Sequence, residues 1–301
     1  MRAVNVWVAP LVGLAALVSA QNGVADPRVV PVGTMAPWDA SHDPDPTTFV
    51  SGGVTVTLAT TKTADGSAAP QITVTAGGHG FSLVGDPDVT TANANAGVGR
   101  LDAGAPGLQV LFANFTGGAH CCDHLRVVEQ TPAGGWTVVE VATVDGLALA
   151  TFPKDLDGDG VADIVLPDDR FAYAFTFYAG SYMPPRVWNV VNGKAVDVST
   201  QPKFAPVFRK DMAKAETYCK QHANGACAAY VADAARLGLF RRAWPIMLAN
   251  WDQTTNWEWP VHCRVQAPPG GDCPQADQQS FTNMPDALQA FLVDNGYLPA
   301  R

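Results

Sequence analysis

The sequence predicts an α+β chain in which an N-terminal all-β domain is followed by a small α-helical domain. Three observations carry that prediction. Short β-prone runs separated by turns fill residues 48–204, and helical spacing replaces them from residue 205. Charge divides at the same place. Residues 205–301 hold nine basic and nine acidic side chains, whereas residues 21–204 hold nine basic and 19 acidic. The 28 glycines and 23 prolines among 301 residues supply the turns that much β-structure needs.

The first segment is a targeting signal. Residues 1–20 open with Arg2, continue in an apolar run from Val4 to Val18 broken by Pro10, and end in Val18-Ser19-Ala20. A basic start, an apolar middle and a small-residue end describe a secretory signal peptide cut after Ala20. The expected location is periplasmic or secreted, with no membrane span once the signal is removed, because no later stretch reaches about 18 apolar residues. Loss of Arg2 takes the net charge from −9 to −10. That acidity excludes a nucleic-acid binder, which needs a clustered Lys/Arg surface. At 47% hydrophobic and 16% charged, the chain is too apolar for wholesale disorder.

Residues 21–47 carry Pro27, Pro31, Pro37, Pro44 and Pro46 and read as an irregular lead-in. Strands are expected where apolar and polar residues alternate, as in Val54–Leu58 and Ile72–Thr75. Further β-prone runs are Gln109–Phe115, Leu125–Val128, Trp136–Val144, Ile164–Leu166, Ala172–Tyr178 and Val187–Val191. Asn192-Gly193 before Ala195–Val198 signals a two-residue hairpin. In the last third, Phe208–Ala223 has helical spacing and stops at Asn224-Gly225. Ala226–Leu237 and Arg241–Trp251 follow, the latter with Pro245 near its first turn. The last helix starts near Pro285 with Asn283 as cap and ends at Asn295-Gly296.

One motif is specific about chemistry. Asp155-Leu156-Asp157-Gly158-Asp159-Gly160-Val161-Ala162-Asp163 places carboxylates at positions 1, 3, 5 and 9 of a nine-residue loop. Alternate carboxylates on a Gly-rich turn converge on one point, and Ca²⁺ takes six to eight oxygens at flexible geometry. The predicted ligands are Asp155, Asp157, Asp159, Asp163 and the carbonyl of Val161. An EF-hand or dockerin-like loop would need an acid at position 12, where Leu166 stands in a β-prone run. Through DxDGDGxxD followed directly by an apolar strand, the segment resembles the FG-GAP/VCBS family of integrin-type β-propeller repeats. The resemblance implies a structural Ca²⁺ that ties a loop to its blade, in support of interaction surfaces. Leu101–Leu111 aligns without gaps on Leu156–Leu166 and keeps Asp102 alone among the ligands, so it is expected to keep the strand without the metal. A spacing of 55 residues fits a propeller blade. Residues 48–204 hold about three such units, which leaves a partial β-propeller or a β-sandwich of FG-GAP-like repeats open.

Six cysteines in an exported chain most economically make three disulfides. Local pairing gives Cys219–Cys227, Cys263–Cys273 and, by elimination, Cys121–Cys122, one of 15 connectivities. His120-Cys121-Cys122-Asp123-His124 also offers ligands for a transition metal, but adjacent cysteines face opposite ways and the compartment favours the disulfide. His120, Asp123 and His124 mark a candidate functional loop, since folding alone does not require both histidines.

Cys227–Trp251 has the small-residue helix and aromatic-anchored second helix of an αα-hairpin and weakly resembles a single Sel1 or TPR repeat. Trp244, Trp251, Trp257 and Trp259 read as core and docking residues before a ligand platform. Asn114-Phe115-Thr116 is formally a glycosylation sequon. These features point to an exported Ca²⁺-binding interaction module with an unidentified protein or glycan partner. The alternative is a secreted or periplasmic hydrolase acting on envelope or extracellular polymer through His120, Asp123 and His124, aided by Asp168 and Asp169.

Overall fold

The computed structural model describes residues 27–87, 92–118, 120–145, 149–265 and 273–299. The signal segment 1–20 lies outside them. The strands run in chain order as β1 (Arg28–Val29), β2 (Met35–Asp39), β3 (Thr47–Ser51), β4 (Val54–Lys62), β5 (Ala68–Ala76) and β6 (His79–Val84). They continue as β7 (Asn93–Gly99), β8 (Gln109–Phe115), β9 (Cys121–Gln130) and β10 (Trp136–Asp145). Then come β11 (Ile164–Pro167), β12 (Pro185–Val190) and β13 (Ala195–Asp197). Two five-stranded sheets, ordered β1-β3-β4-β5-β6 and β10-β9-β8-β7-β2, are followed by a three-stranded sheet, β11-β12-β13. Among the described residues no sheet closes into a barrel.

The second sheet is buried on both faces. Val110 and Phe112 of β8 join Phe49, Val56 and Ile72 of the first sheet in one core. Leu111 and Ala113, on the opposite face, join Phe152, Ile164 and Leu166 in another. A strand covered on both sides has no polar alternation to show, which explains the continuous run Val110-Leu111-Phe112-Ala113. The hairpin between β12 and β13 turns at Asn192 (φ 51) and Gly193 (φ 74), the pair of left-handed residues that a type I′ turn requires.

Two of the sequence expectations for the β region need correction. The lead-in is not wholly irregular, because β1 pairs in parallel with β3 and β2 adds antiparallel to β7. Pro37 is tolerated in β2 because that strand is the edge of its sheet. The run Ala172–Tyr178 is not a strand. Phe171 and Phe175 are both buried in the helical core, while Tyr173 between them is exposed and left-handed (φ 58). Short 3-10 turns at Asp169–Phe171 and Tyr178–Gly180 flank it.

The helical part consists of α1 (Ala205–Cys219), α2 (Asn224–Arg236), α3 (Phe240–Asn250) and α4 (Met284–Asp294). A two-residue ladder, β14 (His262–Cys263) with β15 (Gln278–Gln279), lies between α3 and α4. Val187 and Val198 of the third sheet region pack with Phe204 and Phe208, which docks α1 on the β layers. α2 is buried along most of its length by Ala226, Ala228, Ala229, Ala232 and Ala234, whose small side chains let α1 and α3 approach.

Asn224-Gly225 begins α2 rather than ending α1. The left-handed residue that closes α1 is His222 (φ 64), and Gly225 is small for another reason. A Cβ there would stand 2.5 Å from the Gly180 carbonyl oxygen and 3.0 Å from the Tyr182 nitrogen. Pro245 lies inside α3, beyond its first turn. Asn283 caps α4 as expected, its Oδ1 accepting the Asp286 N–H at 2.9 Å. No helix among the described residues is long and apolar enough to cross a membrane.

Candidate functional site

The acidic loop sits between the second and third sheets, closed at its base by a bridge between Lys154 and Asp163. Gly158 (φ 82) and Gly160 (φ 86) supply the left-handed positions that curl it. Asp155 accepts the N–H groups of Gly158 at 2.7 Å and Gly160 at 2.9 Å. Those backbone donors, Gly160 first, hold its carboxyl below the usual range. Asp157 accepts the Asp159 N–H at 3.0 Å, and Asp159 accepts the Val161 N–H at 2.9 Å. Each carboxylate is thus aimed by the backbone that follows it. Ligand oxygens of Asp155, Asp157 and Asp159 all lie within 4.8 Å of one another.

Asp163 lies outside that group. Its buried carboxylate accepts the Leu156 N–H and the Asn189 amide, each at 2.7 Å, and so pins the loop to β12. Burial pushes its pKa up, with Asp157 and Asp159 adding to the effect. Val161 is buried beneath the loop. Lys203 forms an ion pair with Asp157 and approaches Asp159. A cavity of about 240 Å³ opens beside the loop, lined in part by Asp102, Asp159, Val161, Asn189 and Lys203. In the aligned segment, Asp102 accepts Gly104 N–H at 2.6 Å and Gly193 N–H at 2.8 Å, so it fastens the β12–β13 hairpin.

The histidine and cysteine segment begins β9. Cys121 is joined to Cys122, Cys219 to Cys227 and Cys263 to Cys273. Gly117 is left-handed, and a Cβ on Gly118 would overlap the Cys121 carbonyl oxygen, so both glycines are required by the turn into this pair. Thr116 clamps it from the other side, donating its N–H to the Cys122 carbonyl at 2.9 Å and accepting the Cys122 N–H at 3.1 Å.

The two histidines serve different networks. His120 Nδ1 donates to Asp145 Oδ1 at 2.7 Å, and its Nε2 lies 3.3 Å from the Tyr173 hydroxyl. The Tyr178 ring stacks on His120 with centroids 3.8 Å apart. His124 is held between Asp86 at 2.8 Å and Glu140 at 2.5 Å. Arg126 pairs with the same Asp86 and bonds Asn114. Asp123 is buried. Asn114 is itself buried and bonded through both ends of its amide, so the sequon is not presented for glycosylation. Asp168 is also occupied: buried, it binds Arg170 in a two-point ion pair and accepts the Tyr297 hydroxyl at 2.7 Å. Asp169 has its pKa raised by burial, with Asp168 and Asp145 contributing.

The helical part now has a relative. Residues 208–296 match the family model of the sll0997 C-terminal domain. The chain is also similar to a probable thylakoid lumen protein, sll0997, of Synechocystis sp., at 34% identity over 209 residues. That alignment covers 67% of this chain and 60% of the relative. An uncharacterized protein of Sinorhizobium fredii, y4bJ, is 29% identical over 211 residues, covering 68% of this chain and 32% of that protein. This chain therefore spans less than two thirds of either relative. No solved structure matches.

Asp86, Asp145, Tyr173, Tyr178 and Lys203 were not marked by sequence reasoning. For Asp145 a signal existed. The Thr131–Gly135 turn sets the β9–β10 register, and that register places Asp145 opposite Cys121. The tyrosines and Lys203 arrive from segments 53 or more residues away from His120 or 40 or more from the loop, as Tyr173 does at a separation of 53. No local spacing announces such a contact.

Proposed function

We propose that this chain is an exported, disulfide-stapled binding module whose acidic loop holds a structural Ca²⁺. The observation that carries the reading is the convergence of Asp155, Asp157 and Asp159 in an all-oxygen donor set, the chemistry a hard divalent cation takes. Asp155, Asp157, Asp159 and the Val161 carbonyl would hold the ion, with Asp163 fixing the loop to Asn189. Such an ion would neutralise the cluster and bind the loop to the third sheet. The similarity to a probable thylakoid lumen protein of Synechocystis supports an exported compartment, and so does the presence of three disulfides.

On this reading the chain divides near residue 205. The three face-to-face sheets, built largely from consecutive antiparallel strands, support a partial propeller of FG-GAP-like units in which β2 completes the second sheet. The α2–α3 hairpin is the part that resembles a Sel1 or TPR unit. EDTA should lower the melting temperature, and Asp159→Ala should remove that chelator response. A site 100-fold saturated contributes about 2.7 kcal/mol. An unchanged melting temperature in EDTA overturns the calcium assignment.

The hydrolase reading has one observation in its favour, the His120–Asp145 pair, which orients an imidazole as acid–base chemistry requires. Release of reducing ends from envelope polymer by the wild type, lost in His120→Ala, tests it.

A further inference from the structure

Tyr173 is the one exposed tyrosine, phenylalanine or tryptophan among the described residues with a left-handed backbone (φ 58), a conformation that costs a bulky side chain free energy. Two side chains from elsewhere hold it there. Its N–H donates to Ser181 Oγ at 3.0 Å, and its carbonyl accepts the Trp257 indole N–H at 3.3 Å. The result is a tyrosine 50% exposed, its ring placed beside His120 and 5.4 Å from that of Tyr178. Phe177, 59% exposed, lies just before the 3-10 turn that carries Tyr178. Burial of apolar surface does not explain an aromatic strained into solvent. A ligand that stacks on it does.

The polar groups around the rings narrow the ligand. Asp145 is largely buried and accepts from both His120 Nδ1 and the Tyr178 hydroxyl, so its charge is already engaged inside the protein. That leaves the Tyr173 hydroxyl, which also reaches His120 Nε2 at 3.3 Å, as the hydrogen-bonding group at the edge of the rings. An exposed aromatic ring bordered by a hydroxyl matches a pyranose, which has a C–H face and equatorial hydroxyls. Nucleic acid would meet a chain of net charge −9.

We propose that Tyr173, Tyr178 and His120 form a binding site for a neutral saccharide, with the Cys121–Cys122 turn holding His120 in place. The proposal rests on the binding-module reading and supplies its partner class.

The test is titration of the full chain with chitohexaose, cellohexaose and maltohexaose, following indole fluorescence, in calcium and in EDTA. At least one hexasaccharide should bind saturably. Tyr173→Gly should weaken it about tenfold or more, the loss expected for one stacking contact with its hydroxyl. Because glycine relaxes the left-handed strain, this variant should melt no lower than the parent, which separates a ligand-binding role from a structural one. Tyr178→Ala should weaken binding as well. No saturable binding of any of the three, or binding undiminished in Tyr173→Gly, overturns the proposal. Binding retained with melting insensitive to EDTA overturns the calcium reading alone. Melting sensitive to EDTA without saccharide binding overturns this one alone.

Discussion

Lys203, in the 3-10 turn that leads into α1, forms an ion pair with Asp157 of the acidic loop and stands 3.8 Å from Asp159. Its hydrogen bond to Asp157 holds the ammonium above the ordinary lysine value. The turn before α1 thus sends one cation to the carboxylates that the calcium reading assigns to metal.

Lys203 and Ca²⁺ compete on that account. Lys203→Gln should raise Ca²⁺ affinity about fivefold, the equivalent of an ion pair worth about 1 kcal/mol. In EDTA the same variant should melt below the wild type, because the largely buried Asp157 then has no cation at all. Calorimetric titration and thermal melts of the two proteins check both outcomes.

Asp233, fully buried in α2, has its carboxyl pushed up to about 9 by burial and by Asp211, against an ordinary value of 3.8. Tyr182 donates to Asp211 at 2.9 Å, and Arg236 opposes the shift only weakly. A folded pKa above the unfolded one means that folding takes up a proton between those two values. The contribution is fully present below about pH 4 and is lost as pH rises toward 9. Asp233→Asn should flatten this decline, so urea midpoints of variant and wild type should diverge with rising pH.

Cys219 and Cys227, both fully buried, join the end of α1 to the first turn of α2. Closing so short a loop restricts the unfolded chain by about 2–3 kcal/mol in the chain-entropy view. The double variant Cys219→Ala/Cys227→Ala should lower the urea midpoint accordingly. The loss should be the same in calcium and in EDTA, since the bridge is remote from the loop.

Gly225→Ala should destabilise by about 1–3 kcal/mol, the usual cost of forcing atoms into a packed contact. Its Cβ meets the backbone at Gly180 and Tyr182, which cannot swing away as a side chain would. Denaturant unfolding measures the loss.

Sequence periodicity was a good guide wherever one face alone is buried or a cap is chemically specific. The alternation in β4, the Asn192-Gly193 turn and the Asn283 cap are examples. It failed where size, not hydrophobicity, sets the fit. β7 contains Ala94, Ala96 and Gly97, which look like loop residues, yet a Cβ on Gly97 would stand 2.6 Å from Met35 Sδ and 2.7 Å from Phe152. The strand is small because its neighbours are large. At the site, the Asp155, Asp157 and Asp159 cluster follows from local spacing and is legible as sequence. The surroundings of His120 are not, because Tyr173 joins them across 53 residues through a left-handed turn that no β-prone pattern encodes.

Calorimetric titration of chelator-stripped protein tests Ca²⁺ binding by the loop most closely. The wild type should bind one Ca²⁺ per chain, and Asp157→Asn and Asp159→Ala should bind none. Absence of calcium binding by the wild type, or equal binding by these variants, would contradict the calcium assignment.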